Sequence, residues 1–318
     1  MISRNALQLG KTSFSTQARG FKVVEVGARD GLQNEKTIIS VEDKVDLINR
    51  LSKSGLRIVE ATSFVSPKWV PQMADHDEVI KLIDKRPNVS YPVLVPNLAG
   101  LQNVLKNGHV KEIAVFGAAS NSFSRKNVNA SIDESLAKLK EVTKEALKHD
   151  LAVRGYVSCV IGCPYEGKIS SKEVARVTEA LLEAGCYEVS LGDTIGVGSA
   201  GSVSSMLDAV LSVAPPNQLA VHFHDTYGQA LTNVLVAIEK GIRVADSSIA
   251  GLGGCPYAKG ATGNVATEDL VYMLHDMGFQ TGINLDNLVD ISDWICTKMD
   301  RKNNSRVSNA ILSKRKSK

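Results

Sequence analysis

The chain has 318 residues, 43% of them aliphatic, aromatic or cysteine and 22% charged, an ordinary globular composition that excludes a disordered, collagen-like or coiled-coil protein. The net charge of +3 is uneven: residues 1–22 hold four basic residues and no acid, 298–318 hold eight basic residues against Asp300 alone, and 23–297 carry 25 basic and 33 acidic residues, a net of −8. The basic balance therefore belongs to the two ends, which argues against a nucleic-acid-binding body, and no apolar run approaches the ~18 residues of a membrane span.

Residues 1–20 read as a mitochondrial targeting segment: Ser3, Ser13, Ser15, the spaced Arg4 and Arg19, no acid, modest amphipathicity and no long apolar core. From there β-branched runs alternate with stretches of helical period. The runs are Val23–Gly27, Arg57–Phe64, Tyr91–Val95, Glu112–Gly117, Ala152–Val160, Tyr187–Asp193, Leu219–Asp225 and Val244–Ala250. Their spacing suits a strand plus a crossover helix. Ile132, Leu136, Leu139, Val142 and Ala146 make one helical stripe, and Val174, Val177, Leu181 and Ala184 another. Gly55, Gly185 and Gly241 each precede a strand, where a left-handed helix cap belongs.

Eight such units predict a TIM (β/α)8 barrel over 21–302, one catalytic domain. A doubly wound open sheet is the alternative, weakened because no Gly-x-Gly-x-x-Gly follows the first strand. An additional C-terminal helix is expected over 284–302, packed on Leu285, Leu288, Ile291 and Ile295, and 303–318 should be a basic, polar, frayed tail.

The five cysteines, Cys159, Cys163, Cys186, Cys255 and Cys296, include no Cys-x-x-Cys pair, as expected of free thiols in a reducing compartment. Most should be small buried hydrophobes. Cys255 differs, because it lies in a loop with five glycines, Gly251 to Asn264, after the eighth strand.

In a barrel the reactive residues belong at the C-terminal strand ends, and the sequence puts them there. The first strand runs into Arg29-Asp30, a cation beside a candidate ligand. The second carries Glu60 and Ser63, and the sixth ends in Asp193; each acid could instead cap a helix or hold a loop. The seventh ends in His222-Phe223-His224, whose imidazoles point to one side of the strand. Asp30, His222, His224 and Asn264 supply one carboxylate, two imidazoles and an amide oxygen, a mixed set suited to Mg²⁺ or Mn²⁺, with zinc also compatible. Such an ion chelates a hydroxyl and a neighbouring carbonyl as Lewis acid and template, and Arg29 is then a fixed cation for a developing oxyanion. This is equipment for making or breaking a carbon–carbon bond next to a carbonyl.

From about Val23 to Asp300 the chain resembles the 3-hydroxy-3-methylglutaryl-CoA lyase family. The resemblance is carried by Val26-Gly27-Ala28-Arg29-Asp30-Gly31-Leu32-Gln33-Asn34-Glu35-Lys36, Tyr156-Val157-Ser158-Cys159, Gly162-Cys163-Pro164-Tyr165-Glu166-Gly167, Ser190-Leu191-Gly192-Asp193-Thr194-Ile195-Gly196 and Gly251-Leu252-Gly253-Gly254-Cys255-Pro256-Tyr257. It implies metal-dependent cleavage of the hydroxymethylglutaryl thioester to acetyl-CoA and acetoacetate, serving leucine breakdown and ketone-body formation. It also implies metal ligation by Asp30, His222, His224 and Asn264. Arg29 would bind the thioester carbonyl, Cys255 would be the active-site thiol, and Glu60 and Asp193 would be supporting acids. Lys36 would help bind the CoA end. The base that takes the hydroxyl proton would be His222 or Asp193.

Ala28 stands where the family usually has proline, Thr262 where it has serine, and Asn121-Ser122-Phe123-Ser124 departs from its usual pattern. The ending Lys316-Ser317-Lys318 is not a peroxisomal address. A homodimer in the mitochondrial matrix, with no nucleic-acid or membrane partner, is the expected setting. The closest rival is a Claisen-condensing acyltransferase of the isopropylmalate synthase type; those enzymes usually carry a long C-terminal extension. A non-catalytic barrel is the other, and it predicts lost metal ligands.

Overall fold

The computed structural model describes residues 19–253 and 263–317. Within them the expected alternation becomes a closed parallel barrel. Its strands are β1 (Lys22–Glu25), β2 in two short pieces (Ile58–Val59 and Thr62–Ser63), β3 (Val93–Leu94), β4 (Glu112–Ala118), β5 (Ala152–Ser158), β6 (Glu188–Asp193), β7 (Leu219–Phe223) and β8 (Val244–Ser247). Neighbours in sequence are neighbours in the sheet, all parallel, and β8 returns to β1 through Val244↔Lys22 and Ser247↔Glu25. Closure depends on the divided β2. Its first piece pairs with β1 and its second with β3. Across the join Glu60 N–H reaches Glu25 O at 2.8 Å on one side, and Ala61 N–H reaches Pro92 O at 2.9 Å on the other. All eight expected strands are present, most of them trimmed where the chain turns over the rim, while β4 runs one residue further than expected, to Ala118.

The outer ring is built from α1 (Val41–Lys53), α2 (His76–Leu82), α3 (Leu98–Asn107), α4 (Asn121–Val128), α5 (Ile132–Lys148), α6 (Ser171–Ala184), α7 (Ala200–Leu211), α8 (Ala230–Glu239) and α9 (Thr267–Asp276), with α10 (Leu285–Lys298) and α11 (Arg306–Lys316) after it. α5 starts on a capping box, Ser131 with Glu134, and buries Ile132, Leu139, Val142 and Ala146. Gly55 follows α1 at φ +100°, and a Cβ there would lie 2.1 Å from Gly282 O, so no other residue fits this close crossing. Gly185 and Gly241 also take positive φ.

One correction concerns the C-terminal end. The tail after 302 is not frayed: α11 spans Arg306–Lys316. It is docked by polar groups, which a search for apolar stripes does not register. Asp269 on α9 accepts from Ser305 Oγ at 2.6 Å and from the backbone N–H of Arg306 and Val307. Ser308 Oγ donates to Glu268 at 3.0 Å. The basic last turn, Lys314 to Lys316, suits the negative end of the helix dipole. Of the expected targeting segment, residues 1–18 lie outside the described residues. Arg19–Gly20 add a short parallel pair with Phe279–Gln280.

Strand parity divides the core. Odd-numbered strand residues such as Val59, Val93, Ile113, Val115, Val153, Val189 and Leu191 join the large apolar cluster shared with the helices. Even-numbered residues form two small separate apolar groups, Val24, Val26, Ala220 and Val244, and Leu94, Ala114 and Tyr156. Arg154, Glu188, Ser190, His222, Asp246 and Glu60 share that parity and are all buried. The barrel lumen is thus about half polar, and each polar group must find a partner there.

Two buried carboxylates brace the turn that follows β8. Glu25 accepts from the backbone N–H of Gly27 (2.8 Å) and Ile249 (2.9 Å), and Glu268 from that of Ala250 at 3.0 Å. Burial pushes Glu25 up to about 7 and Glu268 up to about 8, from an ordinary 4.5, against the hydrogen bonds that pull them down. A folded pKa above the unfolded one means stability fully present below about 4.5 and lost as pH rises through 7 to 8. At about 1.4 kcal/mol per pKa unit the loss is a few kcal/mol. The midpoint of thermal unfolding should therefore fall between pH 6 and pH 9, and Glu268→Gln should flatten that fall. Parallel curves for the two proteins would contradict the assignment.

Candidate active site

The chain leaves β1 through a single π-helical turn, Gly27–Gly31, in which the N–H groups of Arg29, Asp30 and Gly31 all converge on Val26 O. A Cβ on Gly27 would meet Glu25 Oε1 at 2.5 Å, so glycine lets the turn sit on that carboxylate. Arg29 is buried, 6% exposed; its Nε and Nη2 donate to the two oxygens of Glu60 at 2.9 and 3.1 Å. Its Nη1 donates to Asp30 Oδ1 at 2.6 Å, and its face lies 5.6 Å from the centre of the Tyr156 ring. A guanidinium has five N–H donors; these bonds use three and leave two. Burial works against the Arg29 charge, but Glu60 and Asp30 more than restore it and raise its pKa further.

β7 delivers the two imidazoles. Beyond its end the backbone pairs with the returning chain: Asp225 N–H donates to Gly263 O at 2.8 Å, and His224 bridges to Asn264. That pairing brings Asn264 beside Asp30, to whose Oδ2 its amide nitrogen donates at 2.9 Å, with a second bond to Leu252 O at 3.1 Å. Gly253 is required here, at φ +101°, since a Cβ would stand 2.9 Å from the Asn264 amide nitrogen. His222 Nε2 lies 3.7 Å from Asp30 Oδ2, and the two imidazole rings are 5.4 Å apart.

One ligand atom from each of Asp30, His222 and His224 lies within 4.8 Å of the others, the one such group of three His, Cys, Asp or Glu found among the described residues. The donor set fits a divalent cation on several counts. Burial pushes the Asp30 carboxyl up, but Arg29, His222, His224 and the Asn264 hydrogen bond together bring it to about 2, so it is ionised. Burial, then His222, lowers His224 to about 4, so its imidazole is neutral near pH 7 and keeps a lone pair. Its Nδ1 is buried with no hydrogen-bond partner, an expensive state for a polar atom. For His222 burial pulls downward, but the Asp246 hydrogen bond and the Asp30 and Asp246 charges outweigh it and raise the pKa. The Asn264 amide nitrogen is committed twice, which leaves its oxygen as the atom able to ligate.

The remaining expected residues are placed as follows. Glu60, buried, is the counter-charge of Arg29 and accepts from Tyr156 OH at 2.7 Å. Asp193, at the end of β6, accepts from Val197 N–H at 3.3 Å and Gly198 N–H at 2.7 Å, so it holds its own loop. Burial raises its pKa against these bonds. Lys36 is exposed on the bend after the π-helical turn and belongs to no ligand cluster. Cys255 lies outside the described residues; Cys159, Cys163, Cys186 and Cys296 form no disulfide with one another and are buried.

Sequence reasoning missed Arg154, Tyr156, Asp246 and Glu188, which line the lumen beneath the ligands. Arg154 donates to Glu188 at 2.8 Å, to Tyr156 OH at 2.9 Å and to Asp246 at 2.7 Å. A strand bearing Arg154 and Tyr156 two apart among valines carries the signal: charge on the inward parity.

Comparison with known proteins bears on this geometry. The HMGL-like family model matches residues 20–295. The chain is 58% identical over 299 residues to the mitochondrial hydroxymethylglutaryl-CoA lyase of Bos taurus, covering 94% of this chain and 92% of that one. It is 57% identical over 289 residues to the cytoplasmic 3-hydroxy-3-methylglutaryl-CoA lyase of Danio rerio, covering 91% and 86%. The crystal structure of hydroxymethylglutaryl-CoA lyase from Pseudomonas aeruginosa superposes with a TM-score of 0.91 at 53% identity, over 93% of this chain and 99% of that one.

Proposed function

The chain belongs to the HMGL-like family, and we infer from this that it cleaves 3-hydroxy-3-methylglutaryl-CoA to acetyl-CoA and acetoacetate, a carbon–carbon lyase reaction of leucine catabolism and ketogenesis. The observation that carries the reading is the meeting of Asp30, His222 and His224 within 4.8 Å of one another, with Arg29 bonded to Asp30 at 2.6 Å. A Claisen-condensing acyltransferase is disfavoured by the high identity to lyases along nearly the whole chain.

Asp30, His222, His224 and the Asn264 oxygen would hold a divalent cation, Mg²⁺ or Mn²⁺ by their hard and borderline character. When bound it supplies Lewis acidity and a template for the substrate hydroxyl and a neighbouring oxygen. Of the two candidate bases, His222 and Asp193, Asp193 takes the proton from the tertiary hydroxyl, because as a ligand His222 has one ring nitrogen toward the cation and the other against Asp246. The C2–C3 bond then breaks, acetoacetate departs, and negative charge gathers on the thioester oxygen of the remaining enolate. Arg29 directs its two uncommitted N–H donors at that oxygen. Glu60 holds the guanidinium flat and in place, by two hydrogen bonds that a lysine could not make. Cys255, on the glycine-rich loop, hands a proton to the enolate carbon. Lys36 binds the CoA end from the rim.

Residues 1–20 act as a mitochondrial targeting segment, 21–302 as the catalytic barrel and 303–318 as a basic C-terminal appendage, in a homodimer of the mitochondrial matrix. Relatives are named for both the mitochondrion and the cytoplasm, and a fluorescent reporter fused after residues 1–20 tests the matrix assignment.

Steady-state cleavage of hydroxymethylglutaryl-CoA, followed by acetoacetate release, tests the reading. EDTA should abolish turnover, and added Mg²⁺ or Mn²⁺ should restore it. Turnover indifferent to EDTA, or CoA release from acetyl-CoA plus a 2-oxo acid in place of cleavage, would overturn it.

A further inference from the structure

The two imidazoles of the site are held differently. The His224 ring meets a backbone group, that of Thr194, and its Nδ1 has no hydrogen-bond partner. His222 is gripped by its ring: Nδ1 faces Asp246 Oδ2 at 3.2 Å. Asp246 is itself immobile, because Oδ2 also accepts from Ser190 Oγ at 2.7 Å and Arg154 Nη1 at 3.2 Å, while Oδ1 accepts from Arg154 Nη2 at 2.7 Å. Arg154 is anchored in turn by Glu188, at 2.8 Å. The whole assembly is buried and sits on adjacent strands β5, β6, β7 and β8 of the barrel.

A neutral imidazole carries one N–H, and an ionised carboxylate only accepts. The ring nitrogen facing Asp246 must therefore be the one that holds the proton. The other nitrogen, Nε2, is left with its lone pair on the side of Asp30, 3.7 Å from Oδ2. We propose that Asp246 is a positioning residue of the site: it fixes the proton of His222 on Nδ1 and presents Nε2 to the cation that Asp30, His222 and His224 would share. The proposal rests on the cation site described above. It assigns Asp246 more than the task of neutralising Arg154, and it makes the two histidines unequal, one oriented by a carboxylate and the other not.

Losing such an outer partner typically weakens metal binding ~10–100-fold. Asp246→Ala alone would strand the buried Arg154 charge and endanger folding. The test therefore uses Asp246→Ala with Arg154→Met, which removes both charges, and Asp246→Asn, whose amide oxygen still accepts from Nδ1–H. Ring ¹⁵N resonances of the metal-free protein at pH 8.5, with His222 identified by a His222→Gln control, should show Nδ1–H and a bare Nε2 in the wild type. The double variant should show mixed tautomers, and Asp246→Asn should regain the wild-type pattern.

Mn²⁺ titration by electron paramagnetic resonance should give a dissociation constant ~10–100-fold higher in the double variant and an intermediate one in Asp246→Asn. A wild-type His222 protonated on Nε2 would overturn the proposal. So would a folded double variant with unchanged tautomer and unchanged Mn²⁺ affinity. Failure of the lyase reading would appear separately, as absent cleavage by a protein whose tautomer and Mn²⁺ binding behave as described.

Discussion

Arg29→Gln should reduce cleavage of hydroxymethylglutaryl-CoA by at least ~10²–10³-fold, the usual cost of removing one donor aimed at a developing oxyanion. The loss should fall on kcat rather than KM, because the charge Arg29 meets forms only as the C2–C3 bond breaks. Folding complicates the single variant. Arg29 is the bidentate partner of the buried Glu60, and breaking a buried pair on one side typically costs ~3–5 kcal/mol. The unfolding midpoint should fall as well, with Glu60 left to Tyr156. Arg29→Gln combined with Glu60→Gln removes both charges, so it should recover most of the stability and none of the activity. Mn²⁺ should still bind both variants, and no more weakly in the single one, since neither residue is a ligand and the lost guanidinium no longer opposes a dication beside Asp30. A stable double variant with near wild-type kcat would show that no oxyanion is met by Arg29.

How much of this was legible in the sequence varies with the range of the signal. The eight strands were, because β-branched runs and glycine caps are local, and Gly55, Gly185 and Gly241 take the positive φ expected of them. The pair His222 and His224 was legible through strand parity, and Asp30 and Asn264 through position at strand ends. The lumen network was not. Arg154 and Asp246 are 92 residues apart, and nothing local says that two isolated charges in different strands will meet. The same parity that aligned the histidines does place both of them inward, so the clue was present without its partner. The π-helical turn escaped because it is defined by three N–H groups sharing one carbonyl of Val26, a geometry without a composition of its own. α11 escaped because serines and Asp269 dock it, where a wholly apolar stripe was the pattern sought.

Asp30→Asn should abolish cation binding while leaving the fold intact, and turnover should fall with it by ~10³-fold or more. The substitution keeps size, and its amide oxygen still accepts from Arg29. What disappears is charge, and charge is decisive because Arg29 stands 2.6 Å from this carboxylate. With Asp30 ionised the two cancel, and a dication can settle between the carboxylate and the imidazoles. With Asp30 neutralised the dication meets a guanidinium instead. At an effective dielectric constant of about 20, a 2+ ion some 5 Å from a unit positive charge is opposed by several kcal/mol. Since about 1.4 kcal/mol is a factor of ten, affinity should fall by at least ~10²-fold. Stability should fall by about 2 kcal/mol without loss of the fold, since the site holds the Asp30 carboxyl at about 2 against an ordinary 3.8. Mn²⁺ titration and the unfolding midpoint, measured on the same preparation, separate the two effects. A folded Asp30→Asn protein that binds Mn²⁺ as tightly as the wild type would remove the carboxylate from the ligand set, and the Lewis-acid role of the cation would then need a different anchor.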